Sequence, residues 1–231
     1  GKSRLAVVKA RKNDLEGARK LVDEVLTDNP RDGDALSLRG TLHLNDGDAA
    51  GAIADLRTVI HDTPGNVGAT RLLARAHLTN KENELAVDVL KQGIQANPNA
   101  TVLGLDLANI QAGAGKFDDS LATLEEVLKK NPKELAALES KFRIFVYKKD
   151  WDQAAAVAEQ MKNVQADSVK GYHFAGLVQQ AKGNFEASIG EFQSALDRAP
   201  DAVEPLSQLV KSHLALKQKD QAVAKLKEVI K

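Results

Sequence analysis

Proline recurs along this chain at one fixed interval. Pro30, Pro64, Pro98 and Pro132 are evenly spaced, Pro200 lies two intervals further on, and the position that the series skips holds Ala166. A constant period of this length, about 34 residues, is typical of a solenoid, in which each repeat buries its apolar face against the next one. The spacing therefore predicts a repeat architecture in place of one or two ordinary globular domains.

Aligned on the proline positions, the chain divides into seven repeats, numbered from the N-terminus: 1–32, 33–66, 67–100, 101–134, 135–168, 169–202 and 203–231. Each repeat has the pattern of two amphipathic helices. In the second repeat, Ala52, Leu56 and Val59 form the i, i+4, i+7 stripe of one helix face. We expect a single all-α solenoid domain over residues 1–231 with two helices in each of the seven repeats and no sheet. Because the series begins and ends within the pattern, we expect this chain to be a fragment of a longer protein.

The turn between the two helices of a repeat has its own residue pattern. The position midway along the proline interval is glycine in three repeats and lysine in three others: Gly47, Gly115, Gly183, Lys81, Lys149 and Lys217. Glycine can take the left-handed conformation that ends a helix, so lysine there predicts backbone strain unless those turns close differently. The next residue is expected to cap the second helix, and it suits that role in four repeats: Asp14, Asp48, Asp150 and Asn184.

Small residues recur at two positions where the paired helices are expected to approach closely. One position, in the first helix of the repeat, holds Ala6, Gly40, Ala74, Ala108 and Gly176. The other, in the second helix, holds Ala18, Ala52, Ala86, Ser120, Ala154, Ser188 and Ala222. The fifth repeat departs from this pattern, because Phe142 takes the first small position and Ala158 takes a position that is bulky in most other repeats. We expect a volume-conserving exchange between these two side chains, giving either a locally repacked core or a bend of the solenoid.

The segments RGTLHLNDGDAAGAIADL at 39–56, followed by Pro64, and AGLVQQAKGNFEASIGEFQSALDRAP at 175–200 resemble the tetratricopeptide repeat. The resemblance covers essentially the whole chain, although the early tryptophan of the family is absent and its mid-helix tyrosine is mostly missing. It implies antiparallel helix pairs that stack into a right-handed superhelix, with a concave groove lined by the first helices. The segment DAVEPLSQLVKSHLALKQ at 201–218 also resembles bacterial envelope repeat lipoproteins of exopolysaccharide and protein-sorting systems, which implies a periplasmic or envelope location.

Composition argues against several other classes of function. The 32 basic and 32 acidic residues cancel, which disfavours general nucleic-acid binding, a helical-repeat RNA reader and a polybasic membrane surface. Aromatic residues make up only 4% of the chain, so base-stacking platforms are not expected. The chain has no cysteine, which excludes disulfides and cysteine-ligated zinc and is compatible with an oxidising or a reducing compartment. No apolar run approaches the roughly 20 residues of a membrane-spanning helix.

The sequence shows no catalytic constellation. His43, His77 and His213 share one position of the repeat, at which the family usually has tyrosine. Packed helices lie about 10 Å apart, so histidines on different repeats are too distant to share a zinc ion, and we expect them to fill aromatic positions in the helix pairs. Neither a GxSxG motif nor a P-loop occurs. We therefore predict no catalytic residue, no metal site, no cofactor and no enzymatic activity.

The first helices carry the candidate ligand-binding residues. Eight of their side chains are expected to face the groove: Arg71, Arg75, Leu105, Asn109, Arg143, Tyr147, Lys170 and His173. The basic members and Asn109 are suited to hold carboxylates of a peptide, although such residues can also be ordinary solvated charges. Tyr147 beside Arg143 is the expected anchor, because these residue types are favoured at interface hot spots. The Lys, Asn and Arg set with which the family binds chaperone C-termini does not occur here, so no chaperone is expected as a partner.

We expect a non-enzymatic scaffold that binds a peptide or protein segment in its groove, with no nucleic-acid ligand and no membrane insertion. The alternative is a structural module that self-assembles end to end. The last helix supports this alternative, because no following polar helix covers its apolar residues, which are Val223, Leu226, Val229 and Ile230. End-to-end association or fraying of that helix is therefore expected.

Overall fold

A computed structural model of the protein describes residues 1–165 and 167–229 and shows an all-α fold. The helices of this described part are α1 Lys2–Arg11, α2 Leu15–Asp28, α3 Gly33–Asn45, α4 Ala49–Asp62, α5 Val67–Thr79, α6 Asn83–Ala96, α7 Thr101–Gly113, α8 Phe117–Lys130, α9 Leu135–Tyr147, α10 Trp151–Val164, α11 Val169–Ala181, α12 Phe185–Leu196, α13 Val203–Ala215 and α14 Lys219–Val229. The described residues contain no strand. The prediction of an all-α fold with fourteen helices is confirmed for this part of the chain. Ala166, Ile230 and the side chain of Val229, which entered the sequence argument, lie outside the described structure.

The chain packs as two compact units, Gly1–Thr123 and Leu124–Lys231, and the boundary between them falls within α8. In the first unit, α1 to α6 each pack on the next helix, and the first helices of successive repeats also pack on one another, α1 on α3, α3 on α5 and α5 on α7. In the second unit, α9 to α14 follow the same order, and α11 packs on α13. Each unit is thus a stack of helix pairs, as in a solenoid. The single domain over 1–231 and the superhelix stay predictions.

Proline sets the end of the second helix in most repeats. Helices α2, α4, α6 and α8 each end two residues before their proline, and α12 ends four residues before Pro200. Proline has no backbone N–H to donate, and its ring disfavours the helical conformation of the preceding residue. The proline interval therefore marks where most helix pairs stop, although α10 ends at the same point of its repeat, at Val164, without a proline.

All seven turns between paired helices contain a residue with positive φ, at the same position of each repeat. These residues are Asn13 (62°), Gly47 (82°), Lys81 (62°), Gly115 (75°), Lys149 (56°), Gly183 (80°) and Lys217 (63°). The lysine turns therefore close in the same way as the glycine turns. A side chain with a β-carbon is disfavoured in this conformation, so the backbone geometry agrees with the strain expected at the three lysines, and its energetic cost stays a prediction.

The predicted capping residues perform their role in three of four repeats. Asp14, Asp48 and Asp150 each accept a hydrogen bond from the backbone N–H three residues later, at 2.9, 2.9 and 3.2 Å. Asn184 precedes α12, but its side chain makes no capping bond, so that part of the prediction is wrong. Its Nδ2 instead donates to Oε1 of Gln179 at 3.0 Å, because the amide has a neighbouring acceptor at the end of α11.

Candidate functional site

Helices α5, α6 and α7 enclose a cleft of about 540 Å³ within the first unit. We call it the α5–α7 cleft, and its lining residues are Gly68, Arg71, Leu72, Ala74, Arg75, Leu78, Leu90, Asp106, Asn109 and Ile110. The structure thus brings together three of the residues predicted from sequence, which are Arg71, Arg75 and Asn109. Leu105, the fourth predicted residue of this unit, is half-buried on α7 and is not among the lining residues.

Local sequence explains the shape of this cleft. Helix α5 begins after Asn66, whose side-chain oxygen accepts a hydrogen bond from the backbone N–H of Ala69 at 3.0 Å. Along the helix, Arg71, Arg75 and Leu78 follow the i, i+4, i+7 spacing that places side chains on one face. Ala74 lies beside them, and Leu90 of α6, which is fully buried, lies behind it as part of the apolar cleft wall. The cleft therefore combines basic groups with an apolar wall.

The two arginines of the cleft differ in their electrostatic environment. Nε of Arg71 donates to Oδ2 of Asp106 on α7 at 2.5 Å, and its Nη2 donates to Oδ1 at 3.3 Å. These hydrogen bonds raise the pKa of Arg71 above its ordinary value. Arg75 lies one helical turn further along α5, is exposed, and forms no ion pair with any residue in 1–165 or 167–229. The guanidinium of Arg75 is thus available to a ligand, and that of Arg71 is already neutralised.

In the second unit, the predicted basic residues converge on one carboxylate. Lys170 of α11 forms an ion pair with Glu139 of α9, and Nη2 of Arg143 lies 3.7 Å from Oε2 of the same residue. Tyr147 follows Arg143 by one turn of α9 and is 72% exposed. The structure therefore places Arg143, Lys170 and Tyr147 on one exposed surface, which we call the α9–α11 surface, with Glu139 balancing part of its charge.

His173 was predicted to contact a ligand, and the structure places it at the edge of the core. Its ring centroid lies 6.0 Å from that of Phe174 and 5.7 Å from that of Phe192. Its Nδ1 is buried and has no hydrogen-bond partner among the described residues. Burial lowers the pKa of the imidazole, and the negative charge of Glu204 opposes this effect only in part. His173 is therefore held mainly as a neutral, packed ring.

The other recurrent histidines bind the residue that begins the second helix. Nδ1 of His43 lies 2.7 Å from Asp48, and that of His77 lies 2.7 Å from Glu82. Nδ1 of His213 likewise lies 2.7 Å from the Gln218 amide oxygen. Sequence reasoning missed this contact, whose signal is a polar residue five positions after each histidine. These histidines thus hold the turn closed, and no described group of histidine and acidic residues has the arrangement of a metal site.

The described helices also lack any segment long and apolar enough to cross a membrane. Two family models, both described as the tetratricopeptide repeat, match the chain. One matches residues 4–67, and the other matches residues 43–105 and 78–142. Together these matches reach from residue 4 to residue 142, which is more than half of the 231 residues. No curated protein sequence matches the chain.

Several solved structures share the fold. PilW, described as a widely conserved type IV pilus biogenesis factor, is 15% identical with a TM-score of 0.66, over 90% of this chain and 96% of PilW. YrrB, described as a TPR protein with an unusual peptide-binding site, is 14% identical with a TM-score of 0.56, over 80% of this chain and 96% of YrrB. MamA from Desulfovibrio magneticus RS-1 is 19% identical with a TM-score of 0.57, over 70% of this chain and 91% of that one. These likenesses show a common fold and confirm the α-solenoid class.

Proposed function

The chain belongs to the tetratricopeptide-repeat family, and from that premise we propose that it is a scaffold whose α5–α7 cleft binds a segment of a partner protein. Repeats of this kind present a layer of first helices to their partners, and the cleft lies between two such helices, α5 and α7. Proteins of this family are generally non-enzymatic scaffolds, and we propose no catalytic role for this chain.

The observation that carries this proposal is the position of Arg75. Its guanidinium is exposed and forms no ion pair within the described residues, and it lines the same cleft as Leu72, Leu78 and Ile110. Arginine forms short, charge-assisted hydrogen bonds with carboxylates, and apolar walls favour the burial of aliphatic or aromatic side chains. The ligand expected here is therefore a peptide segment with an acidic residue next to an apolar one. Asn109 supplies an amide on the opposite wall.

We propose that the α9–α11 surface forms a second contact region for the partner. Tyr147 is a large exposed aromatic side chain next to Arg143, and both residue types are enriched among interface hot spots. Lys170 adds a third polar group on the neighbouring first helix, α11. We propose that this surface contacts the partner separately from the α5–α7 cleft. In this proposal, His173 packs beneath the α9–α11 surface, and Leu105 lies on α7, which carries one wall of the cleft. The resemblance of residues 201–218 to envelope lipoproteins supports a partner in a bacterial envelope or secretion assembly.

Selection from a phage-displayed library of random 12-mer peptides (about 10⁹ clones) tests the α5–α7 cleft directly. We expect the wild-type chain to enrich peptides in which an acidic residue adjoins an apolar one, and we expect Arg75→Glu to abolish their binding by charge repulsion. Arg57→Glu is the matched control, because Arg57 is exposed on α4 and does not line the cleft. Unchanged affinity of the selected peptides for Arg75→Glu would show that the cleft is not the binding site.

Exposed apolar residues on α1 and on α14 favour self-assembly as a second candidate function. Leu226 of α14 is 40% exposed, whereas Leu56, at the same position of the second repeat, is fully buried. Val8 of α1 is also exposed, whereas the corresponding Leu42 is buried. We propose that these faces bind one another between copies. Concentration-dependent light scattering is expected to show association that Leu226→Lys removes and that Leu85→Lys, at an exposed leucine of α6, retains. A monomer at every concentration would contradict this candidate.

A further inference from the structure

We propose that Asp106 determines the specificity of the α5–α7 cleft by pairing with Arg71. One carboxylate of a ligand then increases its affinity for the cleft, and a second carboxylate does not. This inference rests on the proposed peptide-binding function. It assigns to Asp106 a role in selecting which peptides the cleft binds. Asp106 pairs with Arg71, whereas Arg75 has no ion-pair partner among the described residues.

The two arginines lie one turn apart on α5, which corresponds to about 5.4 Å along the helix axis. In the absence of other groups, they would form a cation pair suited to two acidic residues of a bound peptide. Asp106 changes this arrangement, because both of its carboxylate oxygens accept hydrogen bonds from Arg71. Such two-point pairing fixes the guanidinium in both position and orientation.

Burial strengthens this ion pair. The Asp106 side chain is 29% exposed, so its carboxylate has lost much of its contact with water and would be left poorly solvated if Arg71 turned away. A ligand carboxylate that approached Arg71 would also stand next to the negative charge of Asp106. Both effects oppose binding of a second acidic residue at this point. Arg75 has no such partner among the described residues, so its positive charge in the cleft is not compensated by a carboxylate.

The repeat pattern shows that this aspartate is a local departure. The positions that correspond to Asp106 in the second and third repeats hold Leu38 and Leu72. The position that corresponds to Arg71 holds Leu105 in the fourth repeat. Neither charge is therefore required by the helix packing that recurs along the chain. The ion pair between Arg71 and Asp106 occurs at the α5–α7 cleft.

The test compares two probe peptides on three proteins. The first probe is the peptide selected most strongly by the wild-type chain from the random 12-mer library (about 10⁹ clones), and the second carries one additional glutamate four residues from its acidic residue. Fluorescence anisotropy measures the dissociation constants of both probes for the wild-type chain, for Asp106→Asn and for Asp152→Asn. Asp152 is the matched control, because it also accepts an inter-helix ion pair, from Lys182, and lies outside the cleft.

We expect the wild-type chain and Asp152→Asn to bind the two probes within about twofold of each other. Asp106→Asn is expected to bind the second probe roughly tenfold more tightly than the first, since one charge-assisted hydrogen bond has about that effect. Asp106→Leu, which introduces the leucine of the second and third repeats, is expected to show the same preference. This variant separates the loss of charge from any effect of the asparagine side chain.

The outcomes separate the inference from the function on which it rests. If the first probe binds in an Arg75-dependent manner and Asp106→Asn gives the same ratio of dissociation constants as the wild-type chain, the role of Asp106 is wrong and the proposed function stands. A wild-type chain that already favours the second probe tenfold would overturn the inference in the same way. If Arg75→Glu has no effect on the first probe, the proposed function fails and the inference fails with it.

Discussion

Gly176 of α11 faces the ring of Phe192 on α12 so closely that a β-carbon at residue 176 would lie 2.6 Å from Cδ1 and closer still to Cε1. The same relationship occurs in the second repeat, where a β-carbon on Gly40 would lie 3.0 Å from Cγ of Leu56. In both repeats the partners are separated by the same stretch of sequence. The small residue of the first helix is thus matched to the size of one particular side chain on the second helix.

This match predicts different outcomes for two glycine substitutions. Gly176→Ala is expected to lower the free energy of unfolding by about 1–2 kcal/mol, because overpacking against the Phe192 ring exceeds the gain in helix propensity. Gly40→Ala is expected to change it by less than about 0.5 kcal/mol, because the flexible Leu56 side chain can shift and the propensity gain offsets the crowding. Urea denaturation of the two variants provides the measurement.

The double variant Gly176→Ala with Phe192→Leu recreates the Ala74 and Leu90 pair of the third repeat. We expect it to be more stable than the sum of its two single changes predicts, since the two side chains share one space. Strictly additive effects would contradict the proposed match between these positions.

Phe142 and Ala158 are expected to show the reversed relationship in the fifth repeat. They occupy the corresponding two positions, and both are buried, with Phe142 at 3% exposure. Phe142→Ala is expected to cost about 3–5 kcal/mol through the cavity that it leaves. Adding Ala158→Leu should recover much of this loss, but not all of it, because the stacked contact between Phe142 and Phe174, with centroids 4.1 Å apart, is lost. Losses from Phe142→Ala and Ala158→Leu that simply add in the double variant would show that the two volumes are not coupled.

Replacement of a strained turn lysine by glycine should stabilise the protein. Lys149 has φ of 56°, and Lys149→Gly is expected to raise the free energy of unfolding by about 0.5–1 kcal/mol after the entropy of the unfolded glycine is included. Lys148→Gly is the control of opposite sign, because Lys148 has an ordinary φ of −72°. Gly115→Ala should destabilise through the backbone alone, since its β-carbon would meet no atom within 4 Å. Thermal melting measures all three, and a destabilised Lys149→Gly would disprove the strain.

Acid should weaken the second unit through His173. Burial lowers its pKa in the folded state below the ordinary value of 6.5, so the unfolded chain binds more protons as the pH falls through 6.5. The contribution of the neutral ring to stability is therefore present above pH 6.5 and declines as the pH falls toward the folded-state pKa. Urea denaturation between pH 7.5 and about 5 should show this loss, and His173→Leu should reduce it.

His61→Gln is the matched control, because His61 is an exposed histidine on α4. The carboxylates whose pKa is lowered by ion pairs, such as Asp62 and Glu82, titrate at lower pH and do not interfere in this range. A pH profile of His173→Leu that is identical to that of the wild-type chain would contradict this account.

The geometry within one repeat could be read from the sequence because it depends on contacts that recur. Proline at a constant interval fixed the end of the second helices, and small residues marked the close approach of paired helices. The turn strain at Lys81 and Lys149 followed from the glycine that occupies the same position elsewhere. Each of these features depends on the local backbone or on one helix pair, and seven copies of the pattern made it visible.

The state of each charged side chain in the candidate site could not be read in this way. Sequence placed Arg71 and Arg75 together as equal cations, yet the structure pairs Arg71 with Asp106, which lies on the first helix of the next repeat. It also gives Arg143 and Lys170 a common partner in Glu139.

The amino-acid sequence by itself determined the repeat length, the two helices of each repeat, the position of the turns and the family. Tertiary structure alone decided which charges remain available to a ligand, where a cleft opens and that the ring of His173 packs at the edge of the core with its Nδ1 buried. The physical reason is that backbone conformation and helix pairing depend on short-range contacts repeated in every copy. The ion-pair partner of a long charged side chain depends instead on the distances between helices of successive repeats. The repeat period does not specify those distances.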